Sequence, residues 1–197
     1  MDTWKIKETS VDSVVTALKQ GKVIVCPTDT VYGLVADATN KEAVKRIFTI
    51  KGRELGKAFP VFVRDIEMAM ELGVVDSSQQ SFMKKYWPGK VTVIVKSRGV
   101  LPDITGTTEK IGMRIPEYPF LQEILKKVDV PLIGTSANIS GLPALSLVNE
   151  IYSQFTEREY TPDILIDGGD LPSSLSSSVI DITNKDYETL RQGAVTV

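Results

Sequence analysis

Helical and extended segments alternate along this chain. After Ser10, the apolar residues Val11, Val14, Val15 and Leu18 recur at the spacing that places side chains on one face of a helix. The same reasoning predicts further helices after Asn40, over 66–72, over 79–86 with a capping box of Ser77 and Gln80, over 119–127, and after Ser146.

Short apolar runs bounded by turn residues predict strands between these helices. The clearest run is 23–26, which Pro27 ends. The others are 59–63, 91–95, 111–115, 132–134, 164–166, 179–182 and 188–190. Because neither a repeat nor a linker interrupts the alternation, we predict one α/β domain over residues 1–197, with a twisted mixed sheet flanked by helices.

The composition excludes several classes of protein. The chain has no histidine, which removes Ser-His-Asp and Cys-His catalysis and histidine-containing metal sites. The one cysteine, Cys26, cannot form an internal disulfide, and its apolar run predicts a core residue rather than a nucleophile. We expect neither a signal peptide nor a membrane span, and therefore a cytoplasmic protein.

Two polar segments follow predicted strands, where α/β proteins place ligands. The segment PTDTVYGL (27–34) contains two hydroxyls, a carboxylate and a phenol, and GTSANISG (134–141) contains small hydroxyls and an amide between glycines. Such residues also form ordinary turns, so these segments leave a ligand site and a structural turn open. Asp29 is the acidic residue to consider for a metal.

Positive charge is concentrated in residues 41–57, although the whole chain has 23 Lys and Arg against 25 Asp and Glu, a net charge of −2. Six cations stand against two carboxylates in this stretch, a local charge of +4. Part of it is a solvated helix face. We expect Lys51 and Arg53 to lie on an exposed loop, where two cations can converge on phosphates and where alanine substitutions leave the fold nearly intact.

Seven segments, taken in order, resemble the YrdC-like family, which includes the threonylcarbamoyl-AMP synthases. They are PTDTVYGL (27–34), IKGR (50–53), WPG (87–89), MRIP (113–116), TSANISG (135–141), SSVID (177–181) and LRQG (190–193). The resemblance covers about residues 10–193. Glu54 stands where many members have proline, and Phe62 stands where some have histidine.

The resemblance implies one α/β domain whose twisted sheet lines a large concave cleft. It also implies a nucleotidyltransferase that converts L-threonine, bicarbonate and ATP into threonylcarbamoyl-adenylate and pyrophosphate. Mg²⁺ is expected to accompany ATP, and no protein metal site is indicated. A separate transferase that acts on tRNA would receive the product, and direct contact with RNA is left open.

The resemblance also implies roles for individual residues. The catalytic set is Lys51, Arg53, Ser136 and Asn138. The ATP-binding set is Lys51, Arg53, Lys57, Asn138, Ser146 and Arg191, and the threonine-binding set is Thr30, Arg114, Ser136 and Ser177. The alternative function is a non-catalytic RNA-binding module in tRNA or ribosome maturation, against which the negative net charge argues.

Overall fold

The computed structural model describes residues 1–55, 57–102, 105–106 and 108–197. Its helices are α1 (Val11–Lys19), α2 (Lys41–Lys51), α3 (Ile66–Leu72), α4 (Ser77–Tyr86), α5 (Pro119–Val128) and α6 (Val148–Thr156). Its strands are β1 (Asp2–Lys5), β2 (Ile24–Cys26), β3 (Gly33–Asp37), β4 (Val61–Phe62), β5 (Gly73–Val74), β6 (Val91–Ser97), β7 (Lys110–Arg114), β8 (Leu132–Ser136), β9 (Ile164–Asp167), β10 (Ser178–Asp181) and β11 (Glu188–Arg191).

The residues that begin and end α2 explain its position. The side chain of Asn40 accepts hydrogen bonds from the backbone N–H groups of Glu42 and Ala43, as expected of an N-cap. Gly52 ends the helix in a left-handed conformation with φ of 60°, which glycine adopts without steric cost. The helix therefore ends with Lys51, directly before the loop that carries Arg53.

The structure corrects several local predictions. The capping box of α4 is formed by Asp76 and Gln79, not by Ser77 and Gln80, so the helix begins earlier than predicted. The predicted strand 59–63 is extended only at Val61–Phe62. Three strands were not predicted at all: β1, β3 and β5.

One mixed sheet contains all the strands of the described residues. Its order is β1-β9-β2-β3-β8-β4-β7-β6-β10-β11, with β5 paired to β6. Parallel pairs such as β4–β7 and β6–β10 lie beside antiparallel pairs such as β3–β8 and β6–β7. The predicted α/β fold with a mixed sheet is confirmed.

The two faces of the sheet are covered unequally. On one face, α2, α3, α4 and α6 pack on a large apolar core. On the other face, α1 and α5 pack against β2, β3, β8 and β9. Neither α1 nor α5 packs on the area of this second face that β6 and β7 form. Side chains such as Thr92 and Arg114 form the floor of a cleft there. No described helix has both the length and the apolar character to cross a membrane.

Candidate active site

A cleft of about 370 Å³ lies over this uncovered part of the sheet. Strand ends and loops from distant parts of the sequence surround it. The residues that line it include most of the predicted site: Thr30, Lys51, Arg53, Arg114, Ser136, Asn138, Ser177 and Arg191. The polar segments 27–34 and 134–141 therefore meet in one place, together with the motif at the end of α2.

Lys51 is a buried residue, which corrects the prediction that it lies on an exposed loop. Only 3% of its surface is exposed. Its Nζ donates to the backbone carbonyl of Ser136 at 2.6 Å, to the carbonyl of Asn138 at 2.8 Å, and to Oδ1 of Asn138 at 3.0 Å. The side chain thus joins the end of α2 to the turn that follows β8.

Burial and the nearby charge of Arg53 lower the pKa of Lys51 to about 8. Both causes disfavour the ammonium form, since water is excluded and a like charge lies close by. The three carbonyl-type acceptors oppose this effect, because an ammonium group can donate to all of them. Lys51 is therefore a cation held at the cleft by hydrogen bonds rather than by solvent.

Arg53 differs from Lys51 in exposure and in contacts. It is half-buried and lies over the ring of Phe59, 4.9 Å from the centroid. Its guanidinium donates to the backbone carbonyls of Lys57 at 3.3 Å and Ala58 at 3.2 Å. None of these partners carries a negative charge, so the guanidinium charge remains available to an anion at the cleft.

The turn after β8 is fixed mainly by Asn138. Its Oδ1 accepts from Lys51 and from Oγ of Ser136, and its Nδ2 donates to the carbonyls of Ile139 and Leu142. A backbone bond from the N–H of Ser140 to the carbonyl of Lys51, 2.8 Å long, holds the same turn against α2. The Ser136 and Asn138 side chains are therefore held in fixed orientations in the cleft.

Arg114 and Thr30 lie side by side and also line the cleft. Arg114, at the end of β7, forms an ion pair with Asp29, and its Nε donates to the carbonyl of Gly89 at 2.7 Å. Burial lowers the pKa of Arg114 while the charge of Asp29 raises it. An arginine remains protonated under such conditions, so this group is a buried, oriented cation.

Ser177, in the segment before β10, is hydrogen-bonded to the floor of the cleft. Its Oγ lies 2.9 Å from Oγ1 of Thr92, and its carbonyl accepts from Nη2 of Arg191 at 2.7 Å. Arg191 is thereby held against the segment that precedes β10. The serine-rich segment 173–178 supplies Ser176 and Ser177 to the cleft.

Two predicted residues lie outside the set that lines the cleft. Lys57 is exposed and pairs with Glu54 at 2.9 Å. Ser146 is half-buried, and its carbonyl accepts from the N–H of Leu171 at 3.0 Å. The structure therefore does not bring these two side chains together with the others. Cys26 is fully buried, as its apolar run predicted, and burial raises the pKa of its thiol.

Sequence reasoning missed several cleft residues, among them Phe59 and Thr92, and it included Thr28 and Ser140 only as members of the polar segments 27–34 and 134–141. A signal existed for Thr92, because it alternates with Val91, Val93 and Val95 and so faces away from the apolar core. The hydroxyl of Ser140 belongs to the segment 134–141, and its buried Oγ has no hydrogen-bond partner among the described residues.

The side chains of the cleft do not form a metal site. No group of three or more potential His, Cys, Asp or Glu ligands occurs in the described part of the chain. Asp29, the carboxylate that the sequence indicated for a metal, is buried and directed at Arg114.

Comparisons with known proteins all indicate the same family. The Sua5/YciO/YrdC family model, whose description reads "Telomere recombination", matches residues 16–193. The chain is 34% identical to a putative threonylcarbamoyl-AMP synthase of Methanocaldococcus jannaschii over 90% of this chain and 82% of that protein. It is 30% identical to the threonylcarbamoyl-AMP synthase of Pyrococcus abyssi, over 97% of this chain but only 56% of that protein.

Solved structures of Sua5 and YciO also resemble this chain. A crystal structure of P. abyssi Sua5 complexed with L-threonine superposes with a TM-score of 0.87 at 28% identity, over 98% of this chain and 57% of that one. The crystal structure of Escherichia coli YciO superposes with a TM-score of 0.85 at 28% identity, over 98% of this chain and 94% of that one. The chain thus spans little more than half of the Pyrococcus protein and nearly all of YciO.

Proposed function

Since the chain belongs to the Sua5/YciO/YrdC family, we propose that it is an adenylyl-transferring enzyme that forms threonylcarbamoyl-AMP from L-threonine, bicarbonate and ATP. The observation that carries the proposal is the cleft itself. It brings a buried, oriented arginine together with two further cations and an amide in one cavity. An amino acid and a nucleotide need such sites at a short distance from each other.

The chemistry suits a chain without histidine. The amine of threonine attacks the carbon of bicarbonate, and water leaves to give a carbamate. An oxygen of the carbamate then attacks the α-phosphorus of ATP, and pyrophosphate leaves. No side chain has to act as a nucleophile, so the protein contributes by orienting the substrates, which can lower a barrier by about 7–11 kcal/mol. Fixed cations that stabilise the developing charge contribute further.

The threonine site lies around Arg114 in this proposal. A guanidinium binds a carboxylate bidentately, and Arg114 is held on a strand end, so it fixes the orientation of the amino acid. Thr30, Ser136 and Ser177 also line the cleft, and their hydroxyls offer hydrogen bonds to the rest of the substrate.

The nucleotide site lies on the side of Lys51 and Arg53. Arg53 and Arg191 bind phosphate oxygens, while Lys51 adds its charge and holds Asn138 at the junction of the two substrates. Lys57 and Ser146 do not line the cleft, so they contact the nucleotide only if it extends beyond the cleft residues. Mg²⁺ accompanies ATP as part of the substrate, since the cleft residues provide no ligand cluster.

The product is a mixed anhydride, which hydrolyses readily in water. We therefore propose that it passes to a separate transferase that modifies tRNA, and that both reactions occur in the cytoplasm. Direct binding of RNA by this chain is not required for the reaction.

A pyrophosphate-release assay with each substrate omitted in turn tests the proposal. Release is expected only with threonine, bicarbonate and ATP together, and mass spectrometry should detect threonylcarbamoyl-adenylate. Equal release without threonine would reject the synthase activity. Binding of RNA with no turnover of ATP would instead support the non-catalytic module.

A further inference from the structure

We infer that Asp29 is a positioning residue for the amino-acid substrate: its carboxylate orients the guanidinium of Arg114, which in turn binds the substrate carboxylate. The inference rests on the proposed function, because it requires Arg114 to be the carboxylate-binding residue. Asp29 belongs to neither the catalytic nor the threonine-binding residues assigned above. Its position relative to Arg114 carries the argument.

The two side chains form an ion pair inside the protein. Nη2 of Arg114 donates to Oδ1 of Asp29, and the exposed fractions of the two side chains are 4% and 6%. Arg114 lines the cleft, whereas Asp29 is not among the lining residues. Asp29 therefore affects a bound substrate through Arg114 rather than by contact.

The contacts of Arg114 leave it suited to one more partner. Its Nε donates to the carbonyl of Gly89 at 2.7 Å, and Nη1 lies 3.4 Å from Oγ1 of Thr30. Each terminal nitrogen of an arginine carries two N–H groups. Within the described residues, Nη1 and Nη2 each make one of these contacts, so each keeps one N–H group. A pair of such groups binds a carboxylate bidentately. Asp29 and Gly89 fix the direction in which that pair points.

The turn that carries Asp29 is itself rigid. Oγ1 of Thr28 donates to the carbonyl of Val31 at 2.6 Å, and the N–H of Thr30 donates to Oγ1 of Thr28 at 3.1 Å. The hydroxyl of Tyr32 then ties the segment to the loop after β9, accepting from the N–H of Gly168 at 3.0 Å and donating to the carbonyl of Gly169 at 2.7 Å. The carboxylate is thus presented to Arg114 from a fixed backbone.

The second oxygen of Asp29 supports a role beyond folding. Oδ2 is buried and has no hydrogen-bond partner within the described residues. A buried acceptor without a partner destabilises the folded state, and buried ion pairs are often no better for stability than apolar side chains of similar size. Stability alone gives little reason for a carboxylate here, whereas the need for an oriented guanidinium does.

Asp29→Asn tests the inference, because it keeps the size and one acceptor oxygen but removes the charge. The KM for threonine is expected to rise about tenfold, since a charge-assisted hydrogen bond becomes a neutral one, while the KM for ATP stays within about twofold. The matched control is Asp163→Asn. Asp163 pairs with Arg46 at 2.7 Å outside the cleft, so its loss should change neither KM.

A double-mutant cycle with Arg114→Lys separates a positioning role from a general one. If Asp29 acts through Arg114, Asp29→Asn has little further effect on the KM for threonine in the Arg114→Lys background. The same rise in both backgrounds would overturn the inference, as would an equal rise in the KM for ATP or no rise at all.

Two further measurements test the inference if the first variant does not fold or if the wild-type chain is inactive. If Asp29→Asn does not fold, Asp29→Glu replaces it: this variant keeps the charge but displaces the oxygens by one methylene, and an unchanged KM for threonine would overturn the inference. If the wild-type chain releases no pyrophosphate, the proposed function fails on its own. Calorimetric binding of threonine to wild type and Asp29→Asn then tests Asp29 separately, with equal affinities as the contradicting result.

Discussion

Lys51 and Asn138 are joined twice, because Nζ of Lys51 donates both to the backbone carbonyl and to Oδ1 of Asn138, at 2.8 and 3.0 Å. The lysine is the last residue of α2, and the asparagine lies in the turn after β8. One side chain thus supports the fold and the cleft together. Variants of this residue should lose stability and activity at the same time.

Lys51→Met removes the three donated hydrogen bonds while keeping most of the side-chain volume. We expect the free energy of unfolding to fall by about 3 kcal/mol, because buried carbonyl groups lose their partner, and pyrophosphate release to be abolished. Urea unfolding and the release assay measure the two effects. Lys45→Met, on the exposed face of the same helix, is the control and should change neither. An unfolding midpoint equal to that of wild type would contradict the structural role of Lys51.

The pH dependence of stability provides a second test of the buried ammonium. The pKa of Lys51 is about 8 in the folded chain, against 10.5 for an ordinary lysine. Between these values the unfolded chain binds more protons, so the contribution of Lys51 to the free energy of unfolding increases with pH. The cost of burying the charge is fully present below pH 8 and is relieved as the pH approaches 10.5.

The size of this relief is on the order of 3 kcal/mol. It is measured as the difference in unfolding free energy between wild type and Lys51→Met at the two ends of that pH range. Subtracting the variant removes the titration of all other groups. A difference that stays constant or shrinks with increasing pH would show that the ammonium is not disfavoured in the folded state.

Arg53→Gln should separate activity from stability. The side chain is half-buried, donates to two backbone carbonyls of its own loop and lies over the ring of Phe59, so the free energy of unfolding should fall by about 1 kcal/mol or less. Loss of a cation that binds phosphate should raise the KM for ATP at least about tenfold. Arg98→Gln is the control, because Arg98 also donates to two backbone carbonyls, those of Met70 and Gly73, outside the cleft. An unchanged KM for ATP would remove Arg53 from the nucleotide site.

Gly134→Ala tests the close packing of the cleft floor. A Cβ at this position would clash with the ring of Phe62. We expect a loss of about 1–3 kcal/mol in unfolding free energy, and partial recovery in the double variant with Phe62→Leu. Gly112→Ala, on β7, is the control, since its Cβ would meet Thr92 at an ordinary 3.5 Å. Equal tolerance of both substitutions would mean that the ring moves freely.

The sequence predicted those parts of the fold that depend on local periodicity. The helix after Asn40 follows from its N-cap and its apolar spacing, and the structure has it as Lys41–Lys51. The capping box of α4 was predicted one residue too late, because in DSSQQ (76–80) both Asp76 with Gln79 and Ser77 with Gln80 have the spacing of a capping box. Strand β3 was missed because its first two residues, Gly33 and Leu34, belong to the polar segment 27–34, whose residue types are typical of a turn.

The composition of the site was easier to predict than its internal contacts. The resemblance to the YrdC-like family indicated Lys51, Asn138 and Arg114 as site residues, and the structure places all three at the cleft. The burial of Lys51 depends on carbonyl groups 85 and 87 positions away, and the orientation of Arg114 depends on a carboxylate 85 positions away. No local pattern encodes such distances, since they arise from the order of strands in the sheet.

The same distances bear on how quickly a newly made chain acquires its cleft. Lys51 with Asn138, Arg114 with Asp29, and Thr92 with Ser177 each close a loop of 85 positions or more. Contacts of this separation form late, because the entropy of closing a long loop must be overcome before they stabilise the chain; domains rich in them fold in about milliseconds to seconds. During translation, Lys51 leaves the ribosome well before Ser177 and Arg191 are synthesised. The nascent chain therefore exposes unpaired strand edges before it can bind any substrate, and that interval is when it is most exposed to aggregation.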